Sequence, residues 1–247
     1  MSTKPILQIE SLSKSFGGLV AVNKVSLDVS QGETVGLIGP NGAGKTTLFN
    51  LITGFIRPDS GRITFDTHDI TRASTARIVN TGIARTFQIV RPFANIPVYE
   101  NVLIPALSPH ARKCTTDSPE TTVKQALEKV GLLAKAHSNA AQLTHGEQKR
   151  LELARAIATK PKLLMLDEPF SGLGSDEVGP TSSLIGELKK YDITIIVIEH
   201  RLKELMKFAT RVIAMNEGSI IADGEPKAVV NDSKVVESYL GRRVSFA

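Results

Sequence analysis

Gly39-Pro40-Asn41-Gly42-Ala43-Gly44-Lys45-Thr46 is the stretch on which the fold of this chain turns. It fits G-x-x-x-x-G-K-[ST] at every fixed position, and its flanks supply the context that such a loop needs. Glu33 to Ile38 is a short apolar run that reads as a strand, and Lys45 to Ile52 reads as a helix ending near Gly54. In such a unit the backbone of Gly39 to Gly44 curls around phosphate oxygens, with glycine where a Cβ would obstruct the turn or the close approach. The helix that follows points its positive end at the same anion. The spacing then assigns Lys45 to the β- and γ-phosphates, Thr46 to Mg²⁺ and Thr47 to the α-phosphate.

Working outward, the loop alone leaves kinases, GTPases and ATPases open. A second acidic site narrows the choice. Leu163-Leu164-Met165-Leu166-Asp167-Glu168 is an apolar strand ending in two carboxylates, and open parallel sheets place ligand chemistry at the carboxyl ends of their strands. Asp167 is expected to hold Mg²⁺, directly or through water, and Glu168 to orient and deprotonate an attacking water. An isolated Asp-Glu-Pro reads as a solvated turn; the phosphate loop upstream reverses that preference.

The remaining pattern is α/β with an antiparallel portion. Ile6 to Ile9 and Val25 to Val29 read as strands, and Leu163 to Leu166 and Ile193 to Ile198 as parallel strands covered on both faces, with Ser182 to Lys190 as the helical crossover. Leu202, Leu205, Met206 and Ala209 give one apolar helix face, and Arg211 to Met215 with Ser219 to Ala222 a hairpin turning at Glu217-Gly218. Pro92, Pro97, Pro105, Pro109 and Pro119 make a buried strand hard to place between Gln88 and Thr121, while Thr121 to Leu133 and Glu147 to Ala158 read as helices. The expected organisation is a single domain over 1–247: a nucleotide-binding core with its β subdomain in 1–88 and 159–225, a helical insertion in 89–158, and a C-terminal segment, 226–247.

Composition sets the outer limits. The 247 residues are 41% hydrophobic and 22% charged, as in an ordinary globular chain, and no apolar run approaches the length of a membrane helix. Met1 to Glu10 argues against a secretory signal, so a cytosolic location is expected. The one cysteine, Cys114, in a polar segment, reads as a surface thiol and excludes an internal disulfide or a cysteine zinc cluster. Thirty basic against 25 acidic residues leave a charge of +5, which suits an anionic membrane surface, a nucleic acid or an acidic partner without choosing among them.

Leu143-Thr144-His145-Gly146-Glu147-Gln148, just before a helix and the Asp167-Glu168 strand, resembles the signature loop of the ATP-binding subunits of ABC transporters. The usual form is Leu-Ser-x-Gly-Gln; Thr144 keeps the hydroxyl and Gly146 the glycine, while Glu147 replaces glutamine. The resemblance implies a P-loop NTPase fold of the ABC type, ATP and Mg²⁺ as ligands, and a signature loop whose Thr144, Gly146 and Glu147 meet the γ-phosphate of ATP held by a second subunit. A carboxylate at Glu147 opposes that contact unless it points aside, and Thr144 with Glu147 is also a capping box; both readings hold together. The resemblance further implies that Gln88 senses Mg²⁺ and the attacking water, that His200 contacts the γ-phosphate, that Phe16 stacks on adenine and that Val22 adds apolar contact. Where the family commonly has Asp, this chain has Gly174, with Asp176 two residues on as a weak substitute.

Lys14-Ser15-Phe16-Gly17-Gly18-Leu19, Gly82-Ile83-Ala84-Arg85-Thr86-Phe87-Gln88, Glu100-Asn101-Val102-Leu103 and Tyr239-Leu240-Gly241 are similar to ATPase subunits of branched-chain amino-acid importers, whose relatives handle urea, short amides or lipopolysaccharide. The segment between Val102 and Val123 is short for that subgroup. The implied partners are a second ATPase subunit, integral membrane permease subunits and, indirectly, a substrate-binding protein, at the cytoplasmic face of the membrane; no nucleic acid is expected. A soluble ABC ATPase of iron–sulfur assembly is the alternative from another class. A small-molecule kinase leaves the signature loop and Gln88 without a role.

Overall fold

The structure, a computed structural model, describes residues 5–240. Two sheets carry the core. β1 (Pro5–Phe16), β2 (Leu19–Ser30), β4 (Ser60–Phe65) and β5 (His68–Asp69) form an antiparallel sheet in the order β2-β1-β4-β5. The other sheet runs β10-β9-β3-β8-β7-β6, from β3 (Thr34–Ile38), β6 (Ile83–Arg85), β7 (Leu163–Asp167), β8 (Thr194–Ile198), β9 (Arg211–Asn216) and β10 (Ser219–Gly224). All its neighbours pair in parallel except β9 and β10, the expected hairpin, which turns through Glu217 and Gly218, both at positive φ. A right-twisting hairpin of this kind needs such a turn.

Every residue of β3, β7 and β8 is buried, and the two-residue period of a strand explains how both faces are used. Leu163 and Met165 of β7 join Ile196 and Ile198 of β8 in one core, with α1 (Lys45–Ile52) and the antiparallel sheet. Leu164, Leu166, Ile195 and Val197 face the other core, shared with the helices.

Those helices fill the proline-punctuated region: α3 (Val98–Ala106), α4 (Pro109–Cys114), α5 (Pro119–Lys129) and α6 (His145–Ala158), following the short α2 (Thr75–Val79). Two of the prolines that argue against a strand begin helices instead, Pro109 and Pro119 sitting in first turns capped by the Ser108 and Ser118 hydroxyls, while Pro97 precedes α3 and Pro105 lies inside it. The expected helix to Leu133 stops at Lys129 because Gly131 takes a left-handed conformation just beyond it, as a helix end requires. Cys114 is an exposed free thiol at the end of α4.

The crossover helix α7 (Ser175–Glu187) starts two turns earlier than the expected Ser182, with Pro180 inside it, and the helix after His200 shrinks to α8 (Leu202–Leu205). α9 (Pro226–Val230) and α10 (Ser233–Leu240) close the described chain. Gly241 and the rest of the expected C-terminal segment lie outside the described residues, as do residues 1–4. Among the described residues no helix is long and apolar enough to cross a membrane.

Candidate nucleotide-binding site

The loop after β3 is held open by its surroundings. Gly39 (φ 148°) and Gly44 (φ 100°) sit where a Cβ would meet the Met215 carbonyl oxygen at 2.2 Å and that of Ala21 at 2.3 Å. Substitution at either position therefore drives the loop off β9 or β2, beyond any strain in φ. Lys45 opens α1 and turns back, its ammonium donating to the carbonyls of Gly39 (2.7 Å) and Pro40 (2.9 Å). Burial lowers its pKa while Glu168 and Asp167 pull the other way. An ammonium held only by neutral carbonyls is ready to meet phosphate oxygens, a stronger class of acceptor.

A cavity of about 680 Å³ lies over this loop, lined by Asn41 to Thr47 on one side and by Phe16, Leu19, Val20 and Ala21 on another, with Glu168 and His200 at its wall. Phe16 is half exposed there. Val22 does not line the cavity: it is fully buried in the core between the sheets. The register shift between Leu12 and Lys14, opposite Val25 and Val22, sets which face Val22 takes, and Leu19, Val20 and Ala21 supply the apolar wall instead.

Glu168 is assembled from distant parts of the chain. It adopts φ 48° directly after β7, and its N–H donates to the Ile198 carbonyl of β8. Its Oε2 accepts from Gln88 Nε2 at 2.7 Å, and its Oε1 lies 3.1 Å from His200 Nε2. Three groups expected at the site thus meet at one carboxylate.

Residues that sequence reading passes over hold this cluster. Buried Glu199 accepts the N–H groups of Phe170, His200 and Arg201, fixing the turn that carries His200. Lys149 Nζ donates to the Gln88 carbonyl at 2.8 Å and to that of Glu168 at 3.5 Å. Burial lowers the Lys149 pKa, against four nearby carboxylates. Glu152, one turn along α6, accepts the Phe87 N–H and is raised by burial to about 7. For Lys149 and Glu152 the signal in the sequence is faint, two charged residues on a helix that also carries apolar Leu151, Leu153 and Ala154, and Glu199 is one polar residue at a strand end.

Asp167 forms a buried ion pair with Arg85 at 2.8 Å. Thr46, Gln88 and Asp167 line a second cavity of about 650 Å³, between the core and the helical block, which also holds Phe87, Phe93, Ile104 and Arg155. Hydroxyl, amide and carboxylate are hard oxygen donors, few in number and leaving room for waters and phosphate oxygens, which is the set Mg²⁺ takes.

The signature loop stands apart. Thr144, Gly146 and Glu147 line neither cavity. Thr144 caps α6, its hydroxyl accepting from the Glu147 N–H while the Glu147 carboxylate accepts the Thr144 N–H. That carboxylate also pairs with Lys135 and Arg150, so it does point aside, and the hydrogen bond from Lys135 lowers its pKa. At Gly174 the N–H is taken by Glu177 from the first turn of α7, while Asp176 is exposed.

Comparison with known proteins agrees with this geometry. Residues 22–171 match the family described as ABC transporter. The chain is 39% identical to the high-affinity branched-chain amino acid transport ATP-binding protein LivG of Salmonella typhimurium, over 97% of this chain and 99% of that one. It is 37% identical to the corresponding protein BraF of Pseudomonas aeruginosa over the same shares. A solved ATP-binding cassette of an ABC transporter in its ADP conformation superposes with a TM-score of 0.86 at 36% identity, covering 97% of this chain and all of that one. With its phosphate loop, its strand-end carboxylates and near full-length relatives of one kind, the chain belongs to the ABC transporter family as one of its ATP-binding cassettes.

Proposed function

We propose that the chain binds ATP with Mg²⁺ across the Gly39–Thr47 loop and hydrolyses it to drive import of branched-chain amino acids, as a peripheral subunit at the cytoplasmic face of the membrane. One observation carries the hydrolytic half: the Glu168 carboxylate, clamped between Gln88 and His200, forms the wall of the cavity over that loop. Near full-length identity to two branched-chain amino acid transport proteins supports the substrate class.

In this reading the loop backbone and the α1 terminus hold the phosphate chain, Lys45 meets the β- and γ-phosphates, and Phe16 stacks on the base. Thr46, Asp167 and Gln88 are the residues that would hold Mg²⁺, which supplies charge neutralisation on the phosphates. Glu168 takes a proton from a water aligned on the γ-phosphate, and Gln88 and His200 keep its two oxygens aimed. Thr144 and Gly146, outside their own chain's cavities, serve the ATP of a second ATPase subunit, and permease subunits are the membrane partners.

Deleting the gene for this chain and following uptake of labelled leucine and labelled urea tests the proposal. Leucine uptake should be lost, restored by the wild-type gene and not by Glu168→Gln. Unchanged leucine uptake, or a loss confined to urea, overturns the amino-acid assignment.

A further inference from the structure

The guanidinium of Arg85, at the end of β6, reaches three separate parts of the candidate phosphate site: the end of β7, α1 and the segment that carries Gln88. Nη2 donates to Asp167 Oδ2 at 2.8 Å, at the end of β7. Nη1 donates to Asn50 Oδ1 at 2.6 Å and Thr53 Oγ1 at 3.2 Å, at the far end of the helix that Lys45 and Thr46 begin. The group lies among three rings, 5.5 Å from the centroid of Phe49, 5.7 Å from Phe55 and 5.0 Å from Phe87. Phe87 belongs to the segment that delivers Gln88, and Phe55 packs edge to face on it.

Both side chains of the Arg85–Asp167 pair are only 6% exposed, so this is a held geometry and not a mobile surface contact. A guanidinium is a rigid plane, unlike a point-like ammonium, and aromatic faces together with the α1 acceptors fix where that plane lies. With Nη1 occupied by α1, the pairing to Asp167 is single: Oδ2 is taken, and Oδ1 has no hydrogen bond among the described residues. The residue is wired to α1 on one side and to Asp167 on the other, and both Thr46 and Asp167 line the same cavity.

We propose that Arg85 is a positioning residue for the metal-holding pair: it fixes the free oxygen of Asp167 relative to the Thr46 hydroxyl, through a plane clamped by Asn50, Thr53 and the three phenylalanines. The inference rests on the reading that nucleotide binds here together with a divalent cation. Arg85 lines that cavity with its guanidinium already taken by Asp167, Asn50 and Thr53, and the role assigned to it is exerted through Asp167.

Mn²⁺ binding, followed by electron paramagnetic resonance on the full chain at saturating ADP, tests this directly. ADP affinity in the presence of a chelator serves as the metal-free control. Partners that orient a metal ligand are typically worth about 10- to 100-fold in metal affinity, so Arg85→Met should weaken Mn²⁺ binding by about that factor and leave metal-free ADP affinity unchanged. Arg85→Lys, which keeps the charge and loses the plane, should fall between. Asn50→Ala, which leaves the ion pair intact, should show a smaller loss in the same direction and carries the test together with Arg85→Lys if Arg85→Met does not fold. Mn²⁺ affinities equal to wild type across the variants, or metal-free ADP affinity falling in step with them, overturn the proposal. If wild type itself binds Mn²⁺ no better with ADP than without, the metal–nucleotide reading of the site fails and Arg85's role with it.

Discussion

The phosphate loop takes its binding groups from consecutive residues, Gly39 to Thr47, whereas the Glu168 carboxylate is held by Gln88 beyond the end of β6 and by His200 beyond the end of β8. The first is a local structure, shaped by glycines wedged against β9 and β2. The second exists only when three separate stretches are in register, and its supports, Glu152 and Lys149, come from α6 in the helical block. Holding ATP and cleaving it are therefore built as separable tasks, with the cleaving half answerable to the placement of the helices.

The sharpest way to break this contrast is at Glu168. Glu168→Gln should lower ATP turnover by about 100- to 10,000-fold, the usual worth of a general base, as measured by phosphate release. Turnover within a few-fold of wild type would remove Glu168 from that role.

Next in size is Glu152, which belongs to the assembled half alone. Burial raises its carboxyl from 4.5 to about 7, against the Phe87 N–H, Lys149 and Arg155, and Asp167 adds to the rise. Between those values the folded chain keeps a proton that the unfolded chain has lost. Stability is thus greatest below the lower value and falls as pH rises through the upper one, by about 3 kcal/mol in all. Glu152→Gln keeps an acceptor for Phe87 and cannot ionise, so in urea titrations it should gain on wild type by an amount that widens from pH 5 to pH 8, approaching about 3 kcal/mol. A gap that stays constant with pH would contradict the assignment.

Lys45→Ala probes the contiguous half. Losing a charge-assisted contact to phosphate should weaken ATP binding by about 10- to 100-fold, read by calorimetric titration, with little change in folding stability. The smallest effects separate two apolar neighbours on adjacent strands. Val22→Ala should cost about 2 kcal/mol of stability and leave ATP affinity alone, while Phe16→Ala should cost about 1 kcal/mol of ATP affinity and leave stability alone. The reverse pattern would restore Val22 to the nucleotide cavity.

The same contrast governs what the chain reveals before it is folded. Gly39 to Thr47 and the Leu163–Glu168 strand are legible because their chemistry depends on order and period, and β3, β7, β8 and the β9–β10 hairpin stand where the apolar runs put them. β4, β5 and β6 escape notice: they are short or, like β4, half exposed, and they gain their identity from the strands beside them. Val22 is placed at the nucleotide by resemblance alone, and it faces the core because strand alternation breaks between Val22 and Val25 at an irregularity that no residue type announces. Lys149, Glu152 and Glu199 carry no motif, and the string Gly82 to Gln88 that contains Arg85 marks a role for Gln88 alone; all four become functional through partners more than ten residues away in the chain. The end of α5, by contrast, is written in Gly131, and the start of α6 in Thr144 and Glu147.

The separation of holding from cleaving is tested most directly by the ATP affinity of Glu168→Gln, titrated calorimetrically with Mg²⁺ present beside Lys45→Ala and wild type. Glu168→Gln should bind ATP at least as tightly as wild type, within about twofold, while Lys45→Ala loses the about 10- to 100-fold expected of a charged phosphate contact. ATP affinity falling in Glu168→Gln as far as in Lys45→Ala would show one indivisible site and contradict the account.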